Sequence, residues 1–259
     1  TGKIAVVVAG DPDEALRATA TAIDDALADW VEGKVIVGIM GGHALRRDSP
    51  EYRQAAHLAH GLARSGRVVA TGGGPGAMEA GNLGARAVGC SSDELDAAID
   101  ELAAVPSFKG SIPEWIDSAR RVAARVGDGV SLGIPTWHYG DEPPNSFATS
   151  IAKYFQNSVR EDILLRVANG GVVVLPGGGG TVQEVFQDAC ENSYAEDGAW
   201  APLVLLGTRF WTETLPAWPL LQAVMRERPG AAGIACVETP ADAVAAIAAF
   251  EPGARASGL

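Results

Sequence analysis

Gly171-Val-Val-Val-Leu-Pro-Gly-Gly-Gly-Gly-Thr181 is the most informative stretch of the chain for its architecture. Its first five residues form a continuous apolar run, which is typical of a strand buried on both faces of a parallel sheet. Four glycines follow the strand, and a helical pattern then runs from about Val182 to Asn192. The stretch therefore predicts a strand, a glycine-rich turn at its carboxyl end, and a helix.

The same succession occurs earlier in the chain. The predicted strand Arg67 to Thr71 enters the turn Gly72-Gly-Gly-Pro-Gly76, and a helix is predicted from Ala77 to Val88. Further strands are predicted at about 3–9, 34–40, 130–134, 147–155, 202–206 and 234–238, and further helices at about 12–30, 49–65, 158–167, 215–228 and 240–250. This alternation predicts an α/β fold with a mainly parallel sheet and helices on both faces.

The length of 259 residues fits one large α/β domain or two small ones. We find no Ser/Gly linker and no internal repeat, so residues 1–252 are predicted to form one nucleotide-binding domain. Residues 91–128 look helical and less regular, and we expect them to be a helical insertion. Residues 253–259 are expected to be a disordered tail.

Composition excludes several classes of function. The formal net charge of −12 argues against nucleic-acid binding, which needs a basic face. No apolar run is long enough to cross a membrane, and none at the start resembles a signal peptide. The three cysteines, an odd number without a CxxC pair, predict neither a disulfide framework nor a zinc site, and they fit a reducing cytoplasm.

The two glycine-rich turns are candidate phosphate sites. Glycine lets the backbone approach a ligand closely, and the helix that follows offers free N–H groups and a positive dipole end. A single such turn is as readily explained by tight packing. The candidate ligands are Gly73, Gly74, Gly76 and Ala77 in the first turn, Gly177, Gly178, Gly179, Gly180 and Thr181 in the second, and His43, which follows Gly41-Gly42.

Two common phosphate motifs are missing from these turns. The chain has no GxxxxGK[ST] sequence, and the first turn has Glu79 where the dinucleotide fingerprint needs its third glycine. A mononucleotide or a sugar phosphate is therefore a better candidate ligand than NAD.

Pro176-Gly-Gly-Gly-Gly-Thr-Val-Gln-Glu184 resembles PGGxGTxxE, the signature of the LOG-like nucleotide phosphoribohydrolases, which are often misnamed lysine decarboxylases. Gly72-Gly-Gly-Pro-Gly-Ala-Met-Glu-Ala80 is similar to the family's other glycine motif. Glu142-Pro-Pro-Asn145 is more like the pyrimidine/purine nucleotide 5′-monophosphate nucleosidase branch than the cytokinin-activating branch. The resemblance implies a Rossmann-like, doubly wound fold and a homodimer or higher homo-oligomer. It implies hydrolysis of nucleoside 5′-monophosphates to free base and ribose 5-phosphate, with no metal or redox cofactor.

The same resemblance implies the catalytic residues. The catalytic glutamate of the family corresponds to Glu184, and its arginine corresponds to Arg160, with Arg166 as the alternative. The chain departs from the family where the usual lysine after that arginine is Glu161. The chemistry is coherent, because breaking a glycosidic bond builds positive charge on the ribose, which a carboxylate can stabilise while it activates water.

Other interpretations remain open at the level of sequence. The activity can be restricted to cytokinin ribotides, or the protein can be a nucleotide-binding or sensing module without turnover; a sugar-nucleotide or dinucleotide binder is a weaker alternative. His57 and His60 have helical ligand spacing but no third ligand, so no metal site is predicted. His138 and Tyr139 are candidates for the border of the base pocket, although surface packing is their default explanation. The sequence does not name the base.

Overall fold

The computed structural model describes residues 12–137, 142–195 and 200–250. The predicted strand at 3–9, the predicted tail at 253–259, and His138 and Tyr139 lie outside these ranges. The strands are β1 (Ile36–Met40), β2 (Val68–Thr71), β3 (Ser131–Gly133), β4 (Ser150–Ile151), β5 (Val172–Val174), β6 (Leu203–Leu206) and β7 (Ile234–Val237). The α-helices are α1 (Pro12–Val31), α2 (Pro50–Arg64), α3 (Ala77–Arg86), α4 (Ser92–Ala103), α5 (Ile112–Ala123), α6 (Asn157–Val167), α7 (Gly179–Tyr194), α8 (Ala217–Met225) and α9 (Pro240–Ala248).

The seven strands of the described residues form one parallel sheet in the order β4-β3-β2-β1-β5-β6-β7. The chain builds outward from β1 to β4, and it then returns to the other side of β1 to place β5, β6 and β7. The order therefore reverses between β1 and β5, which pair with Ile39 opposite Val173. The predicted doubly wound, Rossmann-like α/β fold is confirmed, and its switch point lies between β1 and β5.

The central strands are buried on both faces because their alternate side chains enter two separate hydrophobic cores. Val37 and Ile39 of β1 pack into the core beneath α2, α3 and α9. Ile36 and Met40 of the same strand pack into the opposite core, beneath α6, α7 and α8. This arrangement explains why the strands read as continuous apolar runs and not as alternating ones.

Residues 92–103 and 112–123 are helical, as expected for the segment 91–128, and a buried ion pair ties the second of these helices, α5, to α3. Nη2 of Arg47 lies 2.6 Å from Oε1 of Glu79 in α3. Nη1 of Arg47 donates to Oγ of Ser118 in α5 at 2.8 Å, and the guanidinium lies over the ring of Trp115. Tyr52 Oη donates to the same glutamate. The pair is fully hydrogen-bonded, which makes a buried charge tolerable.

Three elements differ from their predictions. The helix predicted from Val182 begins at Gly179, because the glycines form its first turn. The strand predicted at 147–155 is reduced to β4. At its start the backbone N–H groups of Phe147 and Ala148 donate to Oδ1 of Asn145, and beyond β4 the pairing continues as an isolated bridge between Thr136 and Tyr154. The helix predicted at 215–228 is shortened to α8 and follows a π-helical turn at Phe210–Thr214.

Candidate functional site

A cleft of about 400 Å³ opens at the carboxyl ends of β1 and β5. This is the switch point of the sheet, where open α/β folds bind their ligands, and its volume suits a small molecule. The residues that line it are Ile39, Met40, Gly41, Gly42, His43, Ala44, Gly72, Met78, Arg160, Glu161, Leu164, Gly177, Gly178, Gly179, Gly180, Thr181 and Glu184. The cleft therefore brings together the second glycine turn, His43, and both of the predicted catalytic residues.

The second glycine turn forms an open wall of the cleft. A Cβ atom added to Gly178, Gly179 or Gly180 would meet no heavy atom within 4 Å. Gly178 caps α7 and has no side chain with which to bond the first N–H groups of the helix. At Gly177, by contrast, a Cβ would lie 2.2 Å from Oγ1 of Thr181, so this glycine is needed for packing. The open helix terminus has the donors and the dipole that an anion requires.

The first glycine turn is packed, and its four predicted ligands do not line the cleft. A Cβ at Gly76 would lie 2.4 Å from the carbonyl oxygen of Gly42, and φ at Gly76 is +69°. The N–H of Ala77 donates to the same carbonyl at 3.1 Å, so it is not available to a ligand. Gly73 and Gly74 are held by hydrogen bonds to their carbonyl oxygens, which accept from the backbone N–H and from Nδ2 of Asn145. From this region only Gly72 and Met78 line the cleft.

The structure places Arg160 of α6 beside Glu184 of α7. Nη1 of Arg160 lies 3.5 Å from Oε1 of Glu184, and the two side chains are only 8% and 10% exposed. Arg166 lies elsewhere: its side chain is 43% exposed and pairs with Asp162 at 3.7 Å. Of the two arginines that the sequence left open, Arg160 is the one in the cleft.

Burial changes the acid–base behaviour of Glu184. Desolvation raises the pKa of its carboxyl to about 7, Arg160 opposes this rise, and the negative charge of Glu161 adds to it. A carboxylate with a pKa near neutrality can accept a proton at physiological pH, which is the property of a general base.

Two polar residues of α6 join this pair, and the sequence did not identify them as site residues. Oδ1 of Asn157 accepts from Nη2 of Arg160 at 2.6 Å, and Nδ2 of Asn157 donates to Oε1 of Glu161 at 2.7 Å. Oε1 of Glu161 lies 3.5 Å from the same Nη2. Asn157, Arg160 and Glu161 are close enough on α6 to contact one another, but their spacing alone does not show that Arg160 and Glu161 line the cleft.

His43 lies at the mouth of the cleft. Its side chain is about half exposed, and its Nε2 lies 3.3 Å from Oε1 of Glu142. It also borders a smaller cavity of about 170 Å³, whose lining includes Phe108 and Lys109 from the segment between α4 and α5. His43 is therefore placed to contact a ligand that protrudes from the cleft.

The remaining histidine candidates have structural partners. His57 pairs with Asp96 at 2.8 Å, and His60 Nε2 lies 3.0 Å from the carbonyl oxygen of Cys90. Within residues 12–137, 142–195 and 200–250 no group of three metal-binding side chains occurs. In the same ranges, no helix has both the length and the apolar character that crossing a membrane requires.

A family model described as "Possible lysine decarboxylase" matches residues 117–247, a segment that contains Arg160, the second glycine turn and Glu184. Among solved structures, the X-ray structure of TM1055 is 20% identical, with 83% of this chain and 99% of that chain covered and a TM-score of 0.52. The molybdenum cofactor binding protein from the phototrophic bacterium Rippkaea orientalis is 17% identical, with coverage of 84% and 98% and a TM-score of 0.51. Both structures share the fold. A comparison with curated proteins gave no match.

Proposed function

The chain belongs to the LOG-type family whose model is described as possible lysine decarboxylase, and from this premise we propose that it hydrolyses the N-glycosidic bond of nucleoside 5′-monophosphates. The products are the free base and ribose 5-phosphate. The observation that carries the proposal is the position of Glu184: a buried carboxylate, in contact with Arg160, faces a cleft that also contains an open helix N-terminus.

The cleft offers one position for the phosphate and another for the ribose of a nucleoside 5′-monophosphate, one after the other along α7. The phosphate binds at the N–H groups of Gly178, Gly179, Gly180 and Thr181, where the dipole of α7 favours an anion. Glu184 lies in the second turn of the same helix, so a ribose that extends from the phosphate along α7 brings C1′ toward its carboxylate.

In the chemical step a water oxygen bonds to C1′ as the bond from C1′ to the base nitrogen breaks. Positive charge develops on the ribose in the transition state, and the carboxylate of Glu184 stabilises it and accepts the proton of the water. The electron pair of the broken bond leaves with the base, which takes up a proton. Arg160 supplies the compensating positive charge at the carboxylate.

The decarboxylase named in the family description has less support in this chain. Decarboxylation of an amino acid with pyridoxal phosphate needs a lysine that holds the cofactor as a Schiff base. Among the described residues, no lysine lines the cleft. Lys34 and Lys153 lie over the rings of Trp30 and Trp137, and Lys109 borders the smaller cavity.

The test is base release from AMP, GMP, CMP, UMP and isopentenyl-AMP, with the corresponding nucleosides as controls. Release from monophosphates alone supports the proposal and identifies the base, and release from isopentenyl-AMP alone restricts the activity to cytokinin ribotides. Release from nucleosides at the same rate would contradict the role given to the phosphate. No release, together with a thermal shift on binding, would indicate a nucleotide-binding module without turnover.

A further inference from the structure

We propose that Glu161 is a positioning residue of this site: together with Asn157 it holds the guanidinium of Arg160 between two carboxylates, and its negative charge keeps Glu184 a competent base. The inference rests on the proposed function for its catalytic consequence. It concerns a residue that the reaction described above does not use.

The first support is the geometry of the four side chains. One guanidinium nitrogen of Arg160, Nη1, faces Glu184, and the other, Nη2, faces Glu161, with both oxygens at 3.5 Å. Asn157 bridges Nη2 and Glu161 through two shorter hydrogen bonds of 2.6 and 2.7 Å. The guanidinium is thus fixed from the Glu161 side, and the orientation of Nη1 toward Glu184 follows from it.

The second support is burial. The side chain of Glu161 is 10% exposed and lines the same cleft as Glu184. Its neighbour Asp162 is about half exposed and pairs with Arg166 on the surface of α6. Burying the carboxylate of Glu161 costs free energy of desolvation, a cost that the exposed carboxylate of Asp162 largely avoids. Because the buried charge lies beside the reacting group, its position indicates a role in the site.

The third support is the balance of charge. Among the described residues Arg160 lies between two carboxylates, and the three side chains Arg160, Glu161 and Glu184 together carry one excess negative charge when both acids are ionised. Repulsion between the carboxylates then favours a bound proton, as in other paired acids. The other titratable groups around Glu184 are Asp188, one turn further along α7 and bonded to Asn192, and His43 at the mouth of the cleft. Glu161 differs from Asp188 in that it shares Arg160 with Glu184.

The consequence is a pH dependence that belongs to Glu161. Removal of its charge in Glu161→Gln lowers the pKa of Glu184, because the contribution of Glu161 is to raise it. At low pH the rate falls because Glu184 becomes protonated and inactive, and this fall is the acid limb of the rate profile. In Glu161→Gln the midpoint of the acid limb moves down by about one pH unit. The rate on the plateau falls about three-fold, because a weaker base follows Brønsted behaviour.

The experiment measures kcat and kcat/KM for base release against pH in the wild type, Glu161→Gln, Glu161→Asp and Asp162→Asn. We expect the limb to move only in Glu161→Gln. Glu161→Asp keeps the charge and should keep the limb, which separates loss of charge from loss of packing. Asp162→Asn removes a neighbouring acid outside the cleft and should leave both limb and plateau unchanged. An unmoved limb in Glu161→Gln, or an equal shift in Asp162→Asn, would overturn the proposal.

A second measurement does not depend on turnover. The titration of the Glu184 carboxyl can be followed by ¹³C NMR, with the signal assigned by its disappearance in Glu184→Gln. We expect a lower midpoint in Glu161→Gln than in the wild type, and equal midpoints would contradict the proposal. Inactivity of the wild type on every monophosphate would instead contradict the proposed function, so the two failures are distinguishable.

Discussion

Arg160 Nη1 and Glu184 Oε1 lie 3.5 Å apart although they belong to different helices on either side of β5 in the sequence. Both helices start at the edge of the sheet where the parallel strands end: α6 returns from that edge to the start of β5, and α7 leaves from it. Arg160 is in the first turn of α6 and Glu184 in the second turn of α7. Their proximity is thus a property of the α6–β5–α7 unit and needs no long loop to create it.

Glu184→Gln tests the carboxylate directly. The amide cannot accept the proton of water or offset charge on the ribose, so we expect base release to fall about 10²- to 10⁴-fold. Binding of ribose 5-phosphate, measured by calorimetry, should remain because the glycine turn is intact. The matched control is Gln183→Ala, an exposed neighbour on α7 that does not line the cleft. Full base release by Glu184→Gln would contradict the proposed mechanism.

Arg160→Ala and Arg166→Ala separate the two arginines that the sequence could not distinguish. Removal of Arg160 leaves Glu161 and Glu184 without the cation between them, and we expect base release to fall at least about 10²-fold. Arg166 pairs with Asp162 on the helix surface, where an ion pair contributes about 0–1 kcal/mol, so Arg166→Ala should keep nearly full activity. Initial rates at saturating substrate decide between them, and the reverse ranking would contradict the assignment.

Gly76→Ala and Gly179→Ala separate a packing glycine from a binding glycine. Gly76 has φ +69°, and an added Cβ would clash with the carbonyl oxygen of Gly42. We therefore expect Gly76→Ala to lower the free energy of unfolding by more than about 2 kcal/mol. Gly179 lies at the open start of α7, where alanine is tolerated and helix propensity improves by up to about 1 kcal/mol.

Chemical denaturation measures the first effect, and the KM for the monophosphate measures the second. We expect Gly179→Ala to keep its stability while its KM rises several-fold, because the new methyl group occupies space in the cleft. An unchanged KM for the monophosphate in Gly179→Ala would contradict a phosphate site at this turn.

The sequence predicted the fold well because the signal is local. An apolar strand, a glycine turn and a helix each depend on neighbouring residues, and the parallel sheet follows from their alternation. The strand predicted at 147–155 was wrong over most of its length, and its start is lost to a side-chain turn that the apolar pattern does not reveal: Oδ1 of Asn145 accepts from the backbone N–H groups of Phe147 and Ala148. Asn145 is itself held by the distant carbonyl oxygens of Gly73 and Gly74, which the sequence does not show.

The site was predictable in part, because one of its sequence signals is also local. The glycine turn before Glu184 marks a ligand-binding helix start, but the two glycine turns look alike in sequence. Only the approach of Gly42 to Gly76 shows that the first is packed and the second is open. The charge at Glu161 was visible as a departure from the family, whereas its burial and its contact with Arg160 depend on how α6 is rotated against the sheet.

The raised pKa of Glu184 has a consequence for stability. The pKa is about 7 in the folded protein against an ordinary value of 4.5, so the folded state binds more protons than the unfolded state between these values. Stability from this group is therefore fully present below about pH 4.5 and is lost as the pH rises toward 7. From about pH 5 to about pH 8 the loss amounts to about 2 kcal/mol.

Glu184→Gln removes this loss, since the amide does not ionise. We expect the free energy of unfolding of the variant, measured with urea, to exceed that of the wild type by about 2 kcal/mol more at pH 8 than at pH 5. Gln183→Ala is again the control, and its difference from the wild type should not depend on pH because it carries no titrating group. A pH-independent gap between Glu184→Gln and the wild type would mean that Glu184 ionises normally in the folded protein. The carboxylate would then be too weak a base at neutral pH for the role proposed here.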